Sequence, residues 1–233
     1  MLIPITREKF EQLVPFIATG PQYAYYWGKF SVFLKRLLIS IVGVVVVLLV
    51  GLVFGEGFNP LRLLLSIVAG LYWWWCPVYL GSRRNAECRR YKYAGFWRGE
   101  VADVYVTEEL IGTEETVNNR GELVIVENRE RRLNLEVEDE TGFGTRLQAP
   151  LRRTHKGIAP GQIAEMVVFS NQADLGRIAQ TSDIYIPSLN LWVSDYPVVQ
   201  RDVFAQVSRQ LSGTRDAEDY PAKRVVKTKR RRR

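Results

Sequence analysis

The chain has one histidine, His155, and only two cysteines, Cys76 and Cys88, among its 233 residues. Zinc centres built on several His and Cys ligands are thereby excluded. The cysteines form no CxxC and lie twelve residues apart, and a bridge between them is not expected on a cytoplasmic face. A Ser-His-Asp arrangement would have to use His155, and no GxSxG elbow presents a serine to it. No GxxxxGK[ST] phosphate loop occurs either. The nearest glycine-rich stretch, Gly142-Phe143-Gly144, sits between two strand-like runs and reads as a hairpin turn. The acidic group Glu136, Glu138, Asp139 and Glu140 reads as a solvated turn at a strand end. No catalytic residue, cofactor or metal ligand emerges, and the chain is expected not to be an enzyme.

Charge is missing in a second, more informative place. Two runs carry none at all, Leu37–Phe54 and Leu63–Leu80. As helices rising about 1.5 Å per residue, each measures about 27 Å, close to a bilayer core of roughly 30 Å. Buried helices of a soluble protein usually show a polar stripe, which these lack. Residues 37–80 are therefore read as a transmembrane helical hairpin with a tight link at 55–62. Its flanks hold Lys29, Lys35, Arg36, Arg83, Arg84, Arg89, Arg90 and Lys92, whereas the link holds Arg62 alone. That asymmetry places both termini in the cytoplasm. A cleaved signal peptide is not expected, because the first apolar run begins only at residue 37.

Acidic residues are absent from one further stretch, 223–233. It holds eight basic residues: Lys223, Arg224, Lys227, Lys229, Arg230, Arg231, Arg232 and Arg233. Removing these eight from the 32 basic residues leaves 24 against 25 acidic ones, so the formal charge of +7 resides in the tail. The tail predicts an anionic partner with salt-dependent attraction: anionic lipid, ribosomal RNA near a translocon, or an acidic face of a membrane complex.

Five regions follow from these contrasts. Residues 1–36 form an amphipathic and aromatic interfacial segment. In it Phe10, Leu13, Val14 and Ile17 fall at helical spacing behind Thr6 as N-cap, and Pro15 shortens the helix. This face packs either on the membrane surface or on the protein's own soluble domain. Tyr23, Tyr25, Tyr26, Trp27, Phe30 and Phe33 make an aromatic belt. Within the second run, Ser66 and Gly70 make a small-xxx-small pair that admits a neighbouring helix. Trp73, Trp74 and Trp75 point in three directions around the helix. These five residues are the predicted contacts with a membrane partner. Residues 81–98 are a basic juxtamembrane linker that continues helically.

Residues 99–213 turn to alternating, β-branched runs separated by Gly and Asn. Strands are expected at VADVYV, ELVIVEN, RRLNLEVED, 143–149, 162–169, 184–186 and 191–193. A short helix fits 174–179, and a closing helix runs from about Tyr196 to Leu211, with Asp195 and Gly213 as caps. Residues 214–233 are a disordered polybasic tail. The fold class is α+β: a two-helix transmembrane hairpin plus a cytoplasmic antiparallel β barrel or sandwich closed by a C-terminal helix.

The segments IATGPQYAYYWGKF (17–30), 95–153 from GFWRGEV to APLRR, and SDIYIPSLNLWVSDYP (182–197) resemble a family of cyanobacterial two-span membrane proteins sometimes labelled phosphate permease. The likeness extends to about residue 211. It implies a cyanobacterial membrane, the thylakoid first. There the expected role is a non-enzymatic accessory factor that docks on a larger membrane complex, such as photosystem subunits, and assists its assembly. The alternatives are a small transporter subunit and a membrane-tethered RNA- or ribosome-binding module. Spans without ionisable residues argue against translocation by the hairpin alone.

Overall fold

A computed structural model describes residues 1–28, 30–54, 59–117, 121 and 123–219. The basic tail from Lys223 to Arg233 lies outside the described residues, as do Lys29 and most of the two links at 55–58 and 118–122. Order along the chain is β1 (Leu2–Ile5), α1 (Arg7–Leu13), α2 (Gly20–Trp27), α3 (Phe30–Phe54), α4 (Asn59–Gly70) and α5 (Tyr72–Cys88). There follow β2 (Tyr93–Val117), β3 (Leu123–Glu138), β4 (Gly144–Pro150), β5 (Ile163–Ser170), β6 (Ile178–Thr181), β7 (Ile184–Ile186), β8 (Leu191–Val193) and α6 (Arg201–Asp219).

The strands form one antiparallel sheet in the order β4-β3-β2-β5-β7-β8, with β1 on β2 and β6 on β5. It does not close into a barrel, which corrects the expected barrel or sandwich. Each face instead buries its own core. On one face α1 and α6 cover Phe96, Val167 and Phe169, together with Phe10, Leu13, Phe204 and Val207. On the other, Trp97, Leu135, Met166, Val168 and Ile186 pack on one another. Among the described residues no helix supplies that second cluster, which is built from the strands and Ile158. β5 lies between the two cores, which is why IAEMVVFS is apolar almost throughout instead of alternating.

The first four strands carry most of the departures from sequence. β1 has no alternation to reveal it, yet Leu2 to Ile5 pair with Trp97 to Ala94. Behind it Thr6 accepts the backbone N–H of Lys9 and caps α1 as predicted. Phe10, Leu13 and Val14 then enter the sheet core, while Ile17 stays exposed. The amphipathic face thus covers the protein's own sheet and not a membrane. β2 begins at Tyr93, inside the stretch expected to be a helical linker. Its start is fixed by β5, which pairs from Tyr93 to Glu100. ELVIVEN and RRLNLEVED are one strand, β3, paired with β2 as far as Val117.

Two helix expectations also change. Residues 174–179 turn at Leu175 and enter β6. The closing helix starts at Arg201, not near Tyr196, and runs through Gly213 to Asp219. Asp195 therefore caps nothing and lies 3.6 Å from Arg132.

Candidate functional site

Two features stand apart from the sheet and its cores: an apolar helical arm and the polar joint that holds it. The arm begins with α3, in which Phe30–Val53 is long and apolar enough to cross a membrane, yet only 11% of its most apolar 18 residues are buried. α4 returns beside it in antiparallel register. Gly43 faces Ala69, Gly70 faces Val44 and Gly51 faces Arg62. A Cβ on Gly43 would lie 3.2 Å from that of Ala69, and one on Gly70 would lie 3.5 Å from Val44 Cγ2. Gly70 therefore serves the arm's own helix crossing. Ser66 sits one turn before it, with its hydroxyl buried and without a hydrogen-bond partner among the described residues.

The second apolar run is not one straight helix. It bends by 70° between α4 and α5, with Leu71 at the break. A break frees backbone groups that a continuous helix would pair. Two side chains satisfy them here. Trp73 N–H donates to Ser40 Oγ at 3.2 Å, and Trp75 Nε1 donates to the Val68 carbonyl at 2.9 Å. The three tryptophans do diverge. Trp73 packs on Trp27 and Phe33, Trp75 on Tyr72 and Tyr79, and Trp74 is 56% exposed. Of the five predicted partner contacts, Trp74 alone presents most of its side chain outward.

Pro77 does not end the second helix. It lies inside α5, which continues to Cys88. That extension builds the joint. Gly81 lets α5 touch the start of α2 so closely that a Cβ there would fall 2.6 Å from Ala18 Cβ. Ser82 Oγ accepts the Ala18 N–H at 3.0 Å. One turn deeper, the amides of Gln22 and Asn85 exchange hydrogen bonds of 2.7 and 2.9 Å, and Gln22 Nε2 also donates to the Val198 carbonyl. Both side chains are fully buried. A buried polar pair satisfied on both sides fixes one register of arm against sheet.

The basic residues after the second run divide between this joint and solvent. The Arg84 guanidinium lies 4.0 Å from the centre of the Tyr196 ring, against which Tyr25 and Tyr26 also pack edge-on. Arg89 reaches Glu11 at 2.9 Å and the Val14 carbonyl at 3.1 Å. Arg83, Arg90 and Lys92 remain exposed. The tyrosines of the expected aromatic belt thus contribute to an internal packing cluster as well.

Asp183 closes the joint from the sheet side. It is almost wholly buried, and Oδ1 accepts the N–H groups of Val198 at 2.7 Å and Val199 at 3.4 Å. Burial pushes its carboxyl up to about 6, against the pull of those donors and of Arg201. The stabilisation this group gives is complete below about 3.8 and is lost as pH rises through about 6. A difference of that size is worth roughly 3 kcal/mol. The melting temperature is therefore expected to fall between pH 4 and pH 7, and Asp183→Asn should flatten that slope. An unchanged slope in the variant would assign the effect to another group, Glu165 being the other carboxyl that burial raises.

The remaining polar features have local structural uses. Asp139 borders an open cleft of about 460 Å³ that Arg98, Glu100 and Glu138 also line. Its Oδ2 accepts Trp97 Nε1 at 2.8 Å, and its Oδ1 accepts the N–H groups of Thr141 and Phe143. Burial would raise its carboxyl, but the Thr141 hydroxyl and N–H, the Met1 ammonium and the Trp97 indole bring it below the usual value. They also occupy the oxygens that a cation would need. Among the described residues no three His, Cys, Asp or Glu side chains are grouped to hold a metal ion. Gly142, at φ +83°, makes the turn that Gly142-Phe143-Gly144 predicts. His155 is buried, and its Nδ1 accepts the Arg152 N–H in a 3-10 turn.

The joint was missed from sequence because Gln22, Asn85 and Asp183 come from three distant segments with no shared motif. Fold and arm together define an α+β protein with one open antiparallel sheet and a protruding apolar helix pair. The chain belongs to the family of unknown function DUF8619, whose model matches residues 3–218. No curated protein and no solved structure matches it.

Proposed function

We propose that this is a membrane-anchored, non-enzymatic docking protein. The arm is the anchor, the joint holds the sheet domain in a fixed pose beside the bilayer, and the sheet engages a larger membrane complex. The observation that carries this reading is the exposure of α3. Leu38, Ile39, Val42, Val46, Leu49 and Leu52 are all half exposed or more, far beyond the apolar patch that a soluble monomer tolerates. The antiparallel register of α3 and α4 supports a hairpin entering and leaving on one side. Lys35, Arg36, Arg83, Arg90 and Lys92 lie at the joint end and favour a cytoplasmic location for it. The exposed Trp74 ring and the tail from Lys223 to Arg233 are then the available contacts for membrane partner and anionic partner.

The resemblance read from the sequence makes photosystem subunits of a thylakoid membrane the first partners to look for. Affinity isolation of the tagged chain from gently solubilised membranes, followed by mass spectrometry, tests this. Recovery of photosystem subunits that lack late-added components is the expected result. Translocon and ribosomal proteins in their place would support the ribosome-binding alternative, and an isolated chain would remove the docking role.

A further inference from the structure

β2 and β3 continue well past the sheet. β5 pairs with β2 only as far as Glu100, and the last bond on that side joins Val101 to Gln162. β4 leaves β3 at Arg132. Beyond these points the two strands form a free ribbon that reaches Val117 and Leu123. On the β2 side its edge, 102–117, has no strand beside it among the described residues. A strand edge in this state offers a row of backbone donors and acceptors to any chain that can lie along it.

The side chains decide which chain that can be. Along 102–117 stand Asp103, Glu108, Glu109, Glu114 and Glu115, with no basic residue. Glu108 and Glu115 share one face of the ribbon and Glu109 lies on the other, as their partners across the pair show. Glu108 and Glu109 touch Arg131 and Arg132 of β3, and 102–117 itself brings five carboxylates to the ribbon and no basic residue. A second copy of this edge would set carboxylate against carboxylate and is repelled. An added strand must instead be basic on both of its faces.

The chain contains one such segment. From Lys223 to Arg233 it has eight basic residues and no acidic one, and Lys229 to Arg233 is basic at every position. α6 carries the chain in the required direction. Phe204 packs on Phe96 of β2 at 5.4 Å, and one turn later Ser208 Oγ donates to Glu165 Oε2, directly across from Arg98. The helix therefore advances along β2 toward the ribbon. From Ser208 to Asp219 it advances about 16 Å, or about five strand residues, which brings its end level with the start of the free edge near Asp103. Fourteen residues follow, spanning at most about 50 Å, enough to cover the edge to Val117.

We propose that residues 223–233 dock in the same molecule as an added strand on the acidic free edge of β2. The added strand covers the exposed backbone of the ribbon and neutralises Glu115. The proposal does not depend on the arm lying in a bilayer.

Two measurements on the detergent-solubilised full chain test it. Amide hydrogen exchange over 102–117 is compared with that of a variant in which all eight basic tail residues are Gln. The variant leaves residues 1–219 untouched, so the sheet serves as internal standard. Exchange at the edge is expected to be at least tenfold faster in the variant. Carbodiimide coupling should join Lys223, Lys227 or Lys229 to Glu108, Glu109, Glu114 or Glu115. In a mixture of isotopically light and heavy chains these joins should stay within one chain. Equal exchange rates with no such joins would overturn the proposal. Joins between light and heavy chains would also overturn it, assigning the tail to a second copy.

Discussion

Phe204→Ala is expected to cost about 3–5 kcal/mol, the usual range for emptying a fully buried aromatic site. Phe204 has no exposed surface and meets Phe96, Tyr185 and Trp192 at centroid distances of 5.4, 5.9 and 4.9 Å. Those rings come from β2, β7 and β8, so this one side chain fastens α6 across strands distant in sequence. Its loss also strands the Ser208–Glu165 hydrogen bond one turn on, leaving a buried carboxyl with a weakened partner set. Urea unfolding in mild detergent should show the midpoint shifted down, with α6 amides exchanging first. Phe204→Leu keeps most of the volume and should lose less than half as much. Equal losses in the two variants would show that ring packing is not what holds the helix.

Val46→Arg is expected to disrupt membrane retention while sparing the sheet. Val46 lies near the middle of the apolar run and is 50% exposed, away from the α4 crossing. A basic side chain at the centre of a spanning helix costs about 2.5–3.5 kcal/mol on insertion scales, roughly a hundredfold in the partition equilibrium. The membrane-associated fraction after washing should fall steeply, whereas Val46→Leu should match the parent chain. A retained Val46→Arg variant would show that α3 is held by protein contacts and not by lipid.

Much of the sheet was legible because its alternation is local. In β3, Leu133, Leu135 and Val137 are buried as their alternation indicates, although Asn134 on the expected wet face is buried too, bonded to Thr107 and Arg146. β7, β8 and the Gly142 turn were readable for the same reason. What failed was long-range. Nothing in LIPI announces a strand, because β1 exists only through its pairing with Trp97 to Ala94. The start of β2 at Tyr93 is imposed by its pairing with Ser170 of β5, 77 residues on, against a basic stretch that favours helix.

Closure into a barrel was inferred from the number of strands. Their lengths decide otherwise, since β2 and β3 run far past their neighbours and leave β4 and β8 at opposite ends of the order. The arm shows both sides of the limit. Its length and lack of charge were plain, and Gly70, expected to meet a partner's helix, lies against Val44 of α3. The partner in that crossing is α3 of the same chain, which no spacing rule distinguishes from another subunit. The bend at Leu71 was invisible because its satisfaction depends on Ser40 and the Trp75 indole reaching across space.

The joint was the least legible part. Gln22, Asn85, Asp183 and Val198 are individually ordinary polar or apolar residues. Only their convergence makes them the joint between arm and sheet, and amphipathic patterning carries no record of buried polar pairs.

The central claim, that the arm is a membrane anchor, is tested most directly by alkaline carbonate extraction of membranes that contain the full chain, followed by flotation. Retention in the floated membrane fraction at high pH, with Val46→Arg substantially released, is the result expected here. Complete release of the parent chain into the supernatant would contradict it. The exposed face of α3 would then belong to a protein interface.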